Sequence, residues 1–105
     1  MTTAAPRPAP ANRPPRVRLT TRSGARFARV LTMAAAASDG DGTVASVTFL
    51  LDGRRVGVDR RAPYRLRVGT ARLRAGRHWL TATATDDDGA RARSARVAVV
   101  RRAGR

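Results

Sequence analysis

The chain has 105 residues, enough for one small domain and too few for two. It contains no Cys, which excludes disulfides and thiolate metal sites. Its 22 basic residues are all Arg and its seven acidic residues are all Asp, for a formal net charge of +15. Such a charge attracts polyanions at long range, but the complete absence of Lys also marks a coding bias toward Arg, so charge alone names no partner.

Residues 1–15 hold five of the six prolines, with several Ala and two Arg. That composition cannot bury apolar surface and favours extended polyproline, so residues 1–15 read as a disordered Pro-rich arm or linker. The arm has no hydrophobic segment of signal-peptide type. The expectation is a piece of a longer exported chain, extracellular or at the cell surface, or else a stand-alone cytoplasmic one. No apolar run approaches the roughly 20 residues that would cross a bilayer, so no membrane span is predicted.

From Arg16 onward, short segments alternate in polarity between Gly- and Asp-rich breaks, which is the period of a half-buried strand. Val17 and Leu19 mark a first strand. Leu31, Met33, Ala35 and Ala37 mark a second, closed by ASDGDG. Val47, Phe49 and Leu51 mark a third, ended by Asp52-Gly53, a strong hairpin signal. Val56 and Val58 give a fourth, and Tyr64, Leu66 and Val68 a fifth. His78, Leu80, Ala82 and Ala84 give a sixth, closed by DDDG, and Val97 and Val99 the last. Seven short strands in this length predict an all-β, seven-stranded sandwich over 16–100, with 101–105 as a basic tail. MAAAASDGDG (33–42) and LTATATDDDG (80–89) echo one another. They predict two facing strands whose small Ala residues let the sheets approach closely.

The segments ASDGDGTVASVTFLLDG, APY and GRHWLTATATDDDG, in that order, resemble bacterial Ig-like domains. These are fibronectin III-like modules of secreted and cell-surface multidomain proteins, often attached to glycoside hydrolases. The resemblance covers roughly Pro14 to Val100. It implies an Ig-like sandwich and a role as a non-catalytic accessory module, and it brings no catalytic residues with it. This sequence departs from the family pattern at Val68 (usually Trp), His78 (usually an aromatic such as Tyr) and Trp79 (usually a small polar residue).

Six of the seven Asp fall in three loops that a sandwich of this order gathers at one end: Asp39, Asp41, Asp59, Asp86, Asp87 and Asp88. Clustered carboxylates suit a hard cation, so a Ca²⁺ site is one expectation. Local Asx-turns, with Arg60, Arg61 and Arg91 as counter-ions, are the other. Trp79 and Leu50 lie out of phase with the inward residues of their strands. They predict an outward apolar patch for a neighbouring domain or a glycan, or a ring covered by Arg side chains. His78 is inward and is expected to be structural, hydrogen-bonded to a loop carbonyl. No nucleophile, metal or phosphate-loop pattern accompanies it, so no enzyme and no cofactor beyond the candidate Ca²⁺ is predicted. The partners expected are a neighbouring domain or surface protein, and a polysaccharide or other polyanion held electrostatically. With a single Trp and no stacking platform, specific nucleic-acid recognition is not expected.

Overall fold

The computed structural model describes residues 14–40 and 43–103, which form nine strands and no helix. The strands are β1 (Arg16–Leu19), β2 (Ala25–Phe27), β3 (Val30–Ser38), β4 (Val44–Leu51), β5 (Arg54–Asp59), β6 (Tyr64–Gly69), β7 (Gly76–Asp86), β8 (Arg91–Arg93) and β9 (Val97–Arg101). β1, β3 and β6 form a three-stranded sheet with β3 at its centre. β2, β9, β7, β4 and β5 form the second sheet in that order, and β8 also pairs with β7. The expected two-sheet β-sandwich is present. Most of the predicted 1–15 arm lies outside the described residues.

There are nine strands rather than the expected seven because β2 and β8 form in segments where no strand was expected. After β1, Gly24, at φ 82°, turns the chain across to the other sheet. There β2 runs parallel to β9 and places Phe27 in the core. β8 precedes the expected last strand, β9, and the gap at 94–96 leaves the two as successive partners of β7. Ser94 bridges this gap. Its N–H donates to the Ala82 carbonyl (2.7 Å), and its Oγ accepts from the Ala82 N–H (2.9 Å). The side chain thus supplies a ladder bond that the interrupted backbone does not.

The alternation read from the sequence sets the core. Met33, Val47, Phe49, Leu80, Ala82, Ala84 and Val99 are fully buried. Phe49 pairs with Ala82 across β4 and β7, and Val47 with Ala84, so large residues lie beside small ones. Asp52 (φ 53°) and Gly53 (φ 83°) form the two-residue turn between β4 and β5. Positive φ at both positions matches the twist of the flanking strands. At the β5–β6 seam the sheets approach so closely that a Cβ on Gly57 would lie 2.6 Å from Leu66. The Ala62–Pro63 peptide is cis.

Candidate functional site

The candidate site residues lie at the two ends of the sandwich and on the outer face of the larger sheet. At one end the β4–β5 turn lies against the start of β7. The Asp52 N–H donates to the Trp79 carbonyl (2.8 Å), and Asp52 Oδ1 accepts from the Trp79 N–H (2.9 Å). Asp52 Oδ2 meets Nδ1 of buried His78 at 2.5 Å, and His78 Nε2 meets the Arg74 carbonyl at 2.8 Å. Carboxylate and carbonyl are both acceptors, so both ring nitrogens donate and the imidazolium is the form that fits. Burial works against that charge. The Arg74 carbonyl and the Asp52 carboxylate outweigh it and hold His78 above its ordinary 6.5. Partial burial likewise works against ionised Asp52, but the His78 and Trp79 hydrogen bonds prevail and lower its pKa below 3.8.

The loop carbonyl on His78 was expected. Asp52 as its partner was not, because sequence reasoning assigned Asp52 only to a turn. The signal available was a carboxylate at a hairpin turn and a lone histidine in phase with the core.

Next to this pair, an open cleft of about 610 Å³ lies between the sheets, with Leu51, Val56, Val68 and Leu73 among its lining residues and Arg54, Arg72 and Arg74 also on its walls. Val68, where the resemblance leads one to expect Trp, contributes only a half-buried isopropyl group to this wall.

The other end holds the remaining acids. Asp86, 2% exposed, closes β7 and accepts on Oδ1 from the N–H groups of Asp88 (2.9 Å) and Ala90 (2.8 Å). The Asp87 N–H donates to the Thr43 carbonyl (3.1 Å), tying the β7–β8 turn to the β3–β4 turn. Asp59, at the end of β5, accepts from the N–H groups of Arg65 (2.9 Å) and Arg61 (3.0 Å), and these bonds lower its pKa below 3.8. Asp39 follows β3 and is half-buried, while Asp87 and Asp88 are exposed. Asp41 lies outside the described residues. Among the described residues no group of three or more His or Asp could hold a metal ion.

Trp79 and Leu50 are both half-buried, and both line a shallow depression of about 370 Å³ on the outer face of the larger sheet, together with Arg93 and Arg96. The Arg96 guanidinium lies 4.0 Å from the Trp79 ring centroid and that of Arg77 lies 5.8 Å away. The indole is thus flanked by cations rather than open. None of these three arginines has an ion-pair partner among the described residues.

A sandwich with this strand order, with its one histidine locked between an Asp and a carbonyl, is an Ig-like module. Residues 15–82 match the bacterial Ig domain family, and the chain belongs to it. Among solved structures it is similar to fibronectin(III)-like modules of Clostridium thermocellum CbhA. Identity there is 32% and the TM-score 0.72, over 86% of this chain and 100% of that one. It shares its fold with part of an endo-beta-1,4-mannanase from Thermotoga petrophila, at 12% identity and TM-score 0.67, over 88% of this chain but 20% of the enzyme. It also shares its fold with the PKD1 domain of Vibrio anguillarum Epp, at 17% identity and TM-score 0.65, over 89% of this chain and 99% of that domain. No curated protein matches the chain. Among the described residues no helix is long and apolar enough to cross a membrane.

Proposed function

We propose that this chain is a non-catalytic accessory module that spaces and orients a partner domain or surface within an exported or surface-exposed bacterial protein. One observation carries this reading: the described sandwich takes in its chain at one end and releases it at the other. β1 begins at Arg16 opposite Ser38, beside the β3–β4 turn and the Asp86 end of β7. β9 ends at Arg101 opposite Gly76, the first residue of β7. β7 has 11 residues, so whatever precedes the sandwich and whatever follows it are separated by on the order of 35 Å.

Two further facts support it. Matching solved structures include modules and a segment of a larger enzyme. The one imidazole has both nitrogens occupied, which leaves it no lone pair to act as a base.

The test is the size and location of the native polypeptide. An antibody to the folded domain is applied to cell and culture-medium fractions, and the detected band is identified by mass spectrometry. A much larger exported chain is the expected result. A free 105-residue cytosolic protein would overturn the proposal.

A further inference from the structure

We propose that the outer face of the six-stranded sheet binds a linear acidic polysaccharide through carboxylate groups on its sugars. This goes beyond the spacer reading and stands or falls independently of it.

Strand register sets residues side by side on that face. Ser46, Thr85 and Arg91 form one row, and Thr48, Thr83 and Arg93 form the next. Successive rows lie two residues apart, about 7 Å. The hydroxyls are half-buried and the arginines exposed. No carboxylate stands in either row, and neither arginine has an ion-pair partner among the described residues. Where the face approaches the β4–β5 turn, Trp79 holds Arg96 by stacking at 4.0 Å. A guanidinium stacked in this way keeps its N–H edge free for an anion and has lost part of its freedom before any ligand arrives.

This combination favours sugar carboxylates over two other ligand classes. A nucleic-acid single strand needs open aromatic faces for its bases, and the one indole here has Arg96 over it. A neutral glycan would stack on that same ring and would leave the guanidinium groups unmatched. A polyuronate supplies carboxylates for bidentate Arg contacts and ring hydroxyls for the Thr and Ser rows. The opposite sheet also carries arginines, at Arg16, Arg18, Arg65 and Arg67, but of the four residues they pair with on β3 two are Ala34 and Ala36 and only Thr32 and Ser38 carry hydroxyls, whereas all four β4 and β7 residues of the two rows do.

The opposite sheet provides the control. Binding of polygalacturonate is measured by titration calorimetry at fixed physiological salt. The proteins compared are the wild type, the double variant Arg91→Ser with Arg93→Ser, and the double variant Arg16→Ser with Arg18→Ser. Both variants lose the same charge. The first is expected to weaken binding by about tenfold or more and the second by less than about threefold. Fully methyl-esterified polygalacturonate should not bind, and binding of the acid form should shift Trp79 fluorescence. Equal losses in the two variants would overturn the proposal by reducing it to net charge. So would tighter binding of single-stranded DNA, or no binding of polygalacturonate by the wild type.

Discussion

The two ends of the sandwich use the same residue type differently. At the β4–β5 turn, Asp52 pairs with a buried cationic ring and with the Trp79 N–H. At the far end of β7, Asp86 Oδ1 accepts from the backbone N–H groups of Asp88 and Ala90, and Asp59 accepts from those of Arg61 and Arg65. One end therefore depends on two titrating partners facing each other, whereas the other uses a carboxylate as a fixed acceptor for a turn. An Asp-Gly-rich sequence does not distinguish the two arrangements. The His78 ring that meets Asp52 marks the first of them.

The largest effect is expected at the far end of β7. Asp86→Ala leaves the N–H groups of Asp88 and Ala90 without their acceptor at a buried position. It should cost about 2–4 kcal/mol in denaturant unfolding. For a domain of this size each kcal/mol lowers Tm by about 4–8 °C. Asp52→Ala should cost less, about 1–2 kcal/mol, because its side chain is 41% exposed and water replaces part of what is lost. If Asp52→Ala proved the more damaging, the order proposed for the two ends would be reversed.

The pH dependence sharpens the contrast. The folded pKa of His78 is raised, so its contribution is complete below about 6.5 and fades as pH climbs through the higher folded value. The folded pKa of Asp52 is lowered, so its contribution is complete above about 3.8 and fades as pH falls through the lower folded value. Stability should therefore be greatest between these limits, and Tm should decline on the alkaline side. In Asp52→Ala that alkaline decline should flatten. A decline unchanged in the variant would show that the His78–Asp52 pair is not its source.

Asp59→Ala, where the two N–H donors belong to exposed Arg61 and Arg65 and water can replace the lost acceptor, should cost only about 0.5–1 kcal/mol. Calcium is expected to have the smallest effect. With Asp86 and Asp59 already engaged by backbone N–H groups, millimolar Ca²⁺ or its removal by chelator should move Tm by no more than about 1 °C.

Much of the fold could be read from polarity alone. The inward set from Leu31 through Val99 is in phase because each long strand has one buried face, and the period of two is a direct imprint of that. β2 could not be read, because three residues hold too little alternation. Its trace was Phe27, an aromatic that no expected strand accommodated. β8 has only Ala92 between two arginines and gave no signal. At the sites, the phase of Trp79 and Leu50 was legible, and Arg cover over the ring was one of the readings considered. The Asp52–His78 contact was not legible, because its partners are 26 residues apart and meet only when the β4–β5 turn folds against β7.

The five edge strands share one property. β1 carries Arg16 and Arg18, β6 carries Arg65 and Arg67, β5 carries Arg54 and Arg55, and β2 and β8 are each three residues long, with Arg26 at the centre of β2 and Arg91 and Arg93 flanking Ala92 in β8. An open edge is where a second copy would add a strand, and here each edge is short or lined with guanidinium groups that repel an identical one. Copies of this module could therefore be crowded together, as beads on one chain or as neighbours on one surface, and remain separate folded units rather than seeding a shared sheet.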